Sequence, residues 1–358
     1  MPLINHAGGG GGTPQLCGQV ENFVVHAGNL SAILSWTAPS PDEDSSFVGT
    51  RIVRKTGSAP TGINDGTVVY EGTALSYADT GLTAGTMYYY RAFAYNAKKK
   101  YQTAMRSVSI TAIVCLRAAD LPVGSIVSFK VNSNLMDFIV AHQGNPDPSI
   151  YDETANGTWI IAKLGWYALG AQNVTWNEYN SERGDYGTSF LHYYLTGYRG
   201  YNFNTVLLET QILENLYESK ALENIREVNV PYKKVTDGSL ESNVSKVSAK
   251  IFAPTQKELG ITNNYSAGAK LDYFTAGTSS AAKQKRVAYR YKYEDTTISY
   301  HLRDAAGRKT SYCIDDEGAA NGENSVSNEH AVRVINVLDF NALFNATPNA
   351  SGAYTFYE

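Results

Sequence analysis

Cys17, Cys115 and Cys313 are the thiols of this 358-residue chain, and they are the first residues to weigh for covalent chemistry. Cys313 stands inside the alternating run T-S-Y-C-I-D, where a thiol is expected to be a buried, inert small hydrophobe and not a nucleophile. Cys17 and Cys115 bracket the first domain and are not expected to pair. No CxxC pair or Cys/His spacing suited to a metal occurs. Asp315, Asp316 and Glu317 form a run of carboxylates before Gly318. General acid/base work needs two carboxylates facing one pocket, whereas neighbours at a strand end point to opposite faces, so the run reads as a solvated turn. With Glu323 it could gather oxygens around calcium, but the spacing specifies no site. Neither a nucleophile elbow nor a glycine-rich phosphate loop is present. These residues point away from an enzyme and call for no metal and no cofactor.

Non-covalent chemistry fits another set better. Tyr300, His301, Asp304, Tyr312, Asn321, Asn324, Asn328 and His330 crowd into residues 297–338. Their types make a recognition surface: aromatic rings to stack on a ligand, amides and carboxylates to fix its orientation. Strands are expected over 298–303, 310–315 and 331–338, each with apolar or aromatic residues at alternate positions. Two polar loops, 304–309 and 316–330, would then carry the display. The second, about fifteen residues long, is too long for a bare connection.

The elements that must hold this stretch span two domains, as the length suggests. Residues 1–17 are a segment with the glycine run 8–12, read either as a flexible leader or as an assembly segment. Residues 18–114 give seven short alternating strands: 20–26, 32–36, 50–55, 68–71, 76–79, 88–96 and 106–113. Residues 115–123 read as a linker closed by Pro122. Residues 124–338 form the second domain, with helices expected over 189–198 and 205–224, and residues 339–358 are a tail. Whether its strand-like end, AYTFYE, docks on its own domain or on a neighbour is left open.

Composition sets further limits. With 43% apolar and 18% charged residues and a net charge of −4, the chain lacks the basic stripe that a nucleic-acid partner needs. No run is long enough for membrane insertion. Tyrosine is abundant, 26 against 12 Phe, which suits a β-rich protein binding through amphipathic rings. The start, MPLINHAGGGGGTPQ, has no basic or apolar signal region, so release by host lysis is the expected route out of the cell.

Two stretches resemble known families. LSWTAP around Trp36, GTRIVRKTGS and YADTGLTAGTMYYYRAFAYN resemble a fibronectin type III module, with Leu82 and Tyr88 at its tyrosine-corner spacing. That likeness implies that Trp36 and Tyr88 are core residues of a β-sandwich acting as a spacer. SYHLRD, SYCIDDEG and AVRVINVL resemble the end of an uncharacterised domain found in Firmicutes and phage proteins. That domain is similar to the C-type-lectin and formylglycine-generating-enzyme folds, so an α+β C-type-lectin-like domain is implied. In those folds the first and last strands pair, which would set 124–132 beside 331–338. Arg303 and Arg333 belong to the scaffold part of the motif and are expected in partly buried ion pairs or carbonyl contacts. His301, Asp304 and Val334 replace the usual Trp, Ser and Pro.

The reading is therefore a phage virion appendage, homo-oligomeric, that binds a host cell-surface glycan or protein. It would contact other virion subunits through its N-terminal segment. The alternatives are a purely structural virion component, a bacterial surface adhesin, or an enzyme of the sulfatase-modifying type, which Cys313 would have to serve.

Overall fold

The computed structural model describes residues 18–39, 47–102, 106–165, 174–175, 185–186, 189–197, 212–236, 239–264, 266–290, 293–306, 310–325 and 329–357. The glycine run, Cys17 and Asn328 lie outside the described residues. The chain divides into two compact units, Met1–Cys115 and Leu116–Glu358.

The first unit is a fibronectin type III-like β-sandwich. Its strands are β1 (Glu21–Gly28), β2 (Ser31–Thr37), β3 (Phe47–Thr56), β4 (Thr67–Gly72), β5 (Ser76–Thr80), β6 (Met87–Asn96) and β7 (Ser107–Thr111). One sheet runs β1-β2-β5 and the other β4-β3-β6-β7, all antiparallel. Period-two alternation turns Tyr88, Tyr90, Ala92 and Ala94 of β6 into a core shared with Leu34, Trp36 and Ile52. Tyr88 closes the tyrosine corner, its hydroxyl accepting the Thr83 N–H at 3.1 Å. The buried carboxylate of Asp79 accepts from Arg54 Nη1 at 2.9 Å and from the Tyr90 hydroxyl at 2.8 Å, so this carboxylate is satisfied.

The second unit is organised by a five-stranded sheet in the order Ile335–Leu338, Gly157–Ala162, Asn134–Gly144, Ile126–Val131, Tyr354–Thr355. Asn132 and Ser133 both take positive φ (50° and 60°), the twist that a tight hairpin between Ile126–Val131 and Asn134–Gly144 requires. The strand Gly157–Ala162, second in this order, is buried at every position. Trp159 and Ile161 face one apolar cluster, Ile160 and Ala162 the other, so this strand is covered on both faces. On one side lies the helix Phe190–Thr196, packed through Leu191, Tyr194 and Leu195. Its ends are fixed by the Ser189 hydroxyl, which accepts the His192 N–H, and by Gly197 at φ 76°. On the other side lie Tyr300, Leu302 and Ile314 of a three-stranded meander. Truncating the wholly buried Trp159 to Ala would cost roughly 3–5 kcal/mol.

Four expectations change here. The strands at 124–132 and 331–338 do not pair, because Asn134–Gly144 and Gly157–Ala162 lie between them. The tail takes the place beside the first strand, Tyr354 opposite Val127 and Thr355 opposite Ser128 in parallel register. No single helix fills the described part of 205–224. A 3-10 turn at Glu214–Leu216 and a short helix at Ser219–Glu223 are separated by extended Tyr217, whose ring packs 5.6 Å from Phe129. The expected linker is packed, with Ala118 and Leu121 buried in the core of this unit. Lastly, the expected loop 316–330 contains a strand, Ala320–Ser325.

Candidate functional site: the meander and its buried arginines

Tyr300–Ala305, Thr310–Ile314 and Ala320–Ser325 form an antiparallel meander. Alternation alone cannot explain the first strand, since all six of its residues are buried, among them His301, Arg303 and Asp304. Ionic partners supply the reason. Arg303 Nη1 donates to Glu258 Oε2 at 2.8 Å, and Nη2 donates to Glu258 Oε1. The guanidinium also donates to the carbonyls of Pro231 (Nε, 3.0 Å) and Ala253 (Nη1, 2.5 Å). Glu258 in turn accepts the Tyr151 hydroxyl at 2.6 Å and the Thr255 N–H at 2.9 Å. Both charges of the pair are wholly buried, and this many partners is what makes such burial tolerable. Burial and then the Glu258 charge hold the Tyr151 phenol neutral, well above its ordinary pKa.

Asp304 differs. Its Oδ2 accepts the Gln256 N–H at 2.7 Å, but Arg303 is already neutralised by Glu258. Burial therefore pushes the Asp304 carboxyl up to about 7, against the lowering effects of the Gln256 N–H and Arg303.

Tyr300 and Arg333 make a second buried group. The Tyr300 hydroxyl donates to the Arg286 carbonyl at 2.7 Å, and Arg333 Nη1 donates to that carbonyl at 2.8 Å and to Tyr300 Oη at 3.3 Å. Arg333 Nε donates to the Ala162 carbonyl at 2.7 Å, which ties the meander to the central sheet. Both motif arginines make ion-pair or carbonyl contacts, as the sequence suggested, but are fully and not partly buried.

The turn after Thr310–Ile314 is also built for rigidity. Asp315 Oδ1 accepts the N–H groups of Glu317 (3.1 Å) and Ala319 (2.7 Å), so this carboxylate shapes the turn. Gly318 sits at φ 84° with the Lys283 carbonyl 2.1 Å from where a Cβ would stand, and Arg286 Nε donates to its carbonyl at 2.9 Å. Asp316 and Glu317 are exposed.

Placed on this frame, the eight expected ligand residues separate. Tyr300, His301 and Asp304 are buried, which corrects their placement on a display surface: the first and last are occupied by internal partners, and His301 packs edge-on at 5.0 Å against the His330 ring. Half-buried His330 is held below its ordinary pKa by burial. Tyr312 is half-buried against the core. Asn321 is exposed, at the register position of Cys313, and Asn324 lies opposite Ser311. Cys115 and Cys313 are both buried. Among the described residues no cluster of three or more His, Cys, Asp or Glu could hold a metal ion. Glu258 and Tyr151, which make the clamp possible, carry no sequence signal of that role, being 45 or more positions from Arg303.

The family described as Domain of unknown function (DUF6273) matches residues 156–340, from the strand Gly157–Ala162 through both buried arginines. The chain belongs to this family. The DUF6273 stretch thus includes the whole meander and the Arg303–Glu258 clamp. No curated protein matches the chain. Among solved structures, the fibronectin type III domain of human fibronectin type III domain containing protein 3 is 21% identical over 29% of this chain and 94% of its own, with a TM-score of 0.24. A fibronectin type III domain derived from human KIAA0970 protein is 19% identical over 30% and 80%, with a TM-score of 0.24. The Clostridium perfringens spore cortex lytic enzyme SleM is 12% identical over 27% of this chain, with a TM-score of 0.22, and the match spans only 28% of that enzyme.

Proposed function

We propose that this DUF6273 protein is a non-enzymatic appendage of a phage particle that binds the surface of a Firmicutes host. In this reading the sandwich is a spacer, and the second unit is a C-type-lectin-like binding domain. It would meet the host outside the cell after lysis, as several copies on one particle, with avidity offsetting weak single-site affinity. The observation that supports it is the turn Asp315–Ala319. Its backbone is fixed by Asp315 and Gly318, while Asp316, Glu317 and neighbouring Asn321 are exposed. Polar groups held outward on a fixed frame suit recognition of a glycan or protein without ordering cost. Half-buried Tyr312, on the strand entering this turn, and Asn324, on the strand leaving it, belong to the same hairpin.

A structural virion component is the alternative. The strand Ser239–Ala249 favours it: among the described residues it pairs on one side only, with Val228–Thr236, and exposes Val244.

Binding of the full chain to intact Firmicutes cells separates the two. The variant Asp316→Ala/Glu317→Ala/Asn321→Ala should keep the wild-type melting temperature, since exposed substitutions of this kind shift stability by about 0.5 kcal/mol or less. Saturable wild-type binding that falls at least roughly tenfold in the variant is expected, as for loss of a central contact set. No wild-type binding, even after multimerisation, would leave the structural-component reading.

A further inference from the structure

A second feature of this unit is built from other residues than the Asp315–Ala319 turn. A cavity of about 290 Å³ is lined by Tyr273, Lys285, Tyr289, Lys163 and Arg333, among others. That volume is near the roughly 300 Å³ lower end for small-molecule sites, room for a single sugar ring. Its lining includes three cations and no carboxylate.

The charges are unequally answered. Lys163 has Asp137 at 3.8 Å. Lys285 has none among the described residues: its Nζ donates to the Tyr273 carbonyl at 2.8 Å and lies 5.1 Å from that ring's centroid. Arg333 is 1% exposed, and among the described residues its charge meets carbonyls and a phenol, through Nε and Nη1. The N–H groups of its Nη2 have no hydrogen-bond partner among the described residues. A buried guanidinium without a counter-ion is costly, and an anion in the cavity would offset that cost. The two tyrosine rings add faces on which a sugar can stack.

We propose that this cavity binds a small anionic sugar, a uronic acid or a sugar phosphate, with Arg333 and Lys285 holding the anion and Tyr273 and Tyr289 packing on the ring. Carboxylate and phosphate share the chemistry that the two cations recognise. A neutral hexose would fill the same volume and leave the charge unanswered.

Calorimetric titration of the full chain with D-glucuronic acid, D-glucose 6-phosphate and D-glucose tests the proposal. At least one anion should bind saturably, and glucose at least roughly tenfold more weakly, the discrimination expected of a charge-assisted contact. The preferred anion then identifies the source. Arg333 is integral to the fold, so the diagnostic variants are Lys285→Ala and Tyr289→Ala. Each should weaken anion binding by roughly fivefold or more. The Asp316→Ala/Glu317→Ala/Asn321→Ala variant should bind these probes as the wild type does, so failure here is separable from failure of the host-binding reading. Absence of binding by both anions, equal binding of glucose, or anion binding unchanged in both diagnostic variants would overturn the proposal.

Discussion

Arg303 and Arg333 belong to one motif, sit on neighbouring elements of one unit and are both at most 1% exposed, yet their charges are met in opposite ways. Arg303 has a carboxylate, Glu258, bound through two of its nitrogens, and that carboxylate has its own donors in Tyr151 and Thr255. Arg333 has carbonyls and a phenol, and borders a cavity. The difference teaches how to sort polar residues in a buried motif. A cation closed off by its own counter-ion is frame, and one left positive beside open space is available for work.

The largest effect should come from opening the closed group. Glu258→Ala removes the carboxylate and leaves Arg303 buried and unpaired, at a cost of about 3–5 kcal/mol. Urea denaturation would read this as a lower midpoint with an unchanged slope. A loss below about 1 kcal/mol would be that of an exposed pair and would break the contrast.

Asp304 gives a pH-dependent effect. Its folded pKa, about 7, lies above the ordinary value of 3.8. Between about pH 4 and 7 the folded chain holds a proton that the unfolded chain has released, so this group's contribution to stability falls as pH rises through that window. The slope is at most about 1.4 kcal/mol per pH unit. Asp304→Asn should abolish that fall while keeping an acceptor for the Gln256 N–H. Denaturation midpoints of both proteins across the window check it, and parallel profiles would mean that Asp304 is ionised throughout.

The sandwich was legible in the sequence because each strand signals locally: β6 alternates inward Tyr88, Tyr90, Ala92 and Ala94, and Leu82 and Tyr88 keep the corner spacing. The meander was legible by halves. Tyr300–Ala305 and Thr310–Ile314 carry apolar residues, whereas Ala320–Ser325, A-N-G-E-N-S, has no alternation and is a strand only through its ladder to Thr310–Ile314. His301 and Asp304 looked like display residues because they are polar, and what buries Asp304 arrives from Gln256, far back in the chain. Sheet order was hidden for the same reason. Nothing local in 124–132 says that the tail, and not 331–338, will lie beside it. The cavity was missed because its tyrosines and lysines converge from three separate stretches.

The most direct measurement of the contrast sets Arg303→Met beside Arg333→Met in the same urea denaturation. Arg303→Met strands a buried carboxylate, whereas Arg333→Met strands only carbonyls and a phenol, so the first should cost about 2 kcal/mol more than the second. Equal losses, or a larger loss at Arg333, would mean that both arginines are frame alone and would contradict the account.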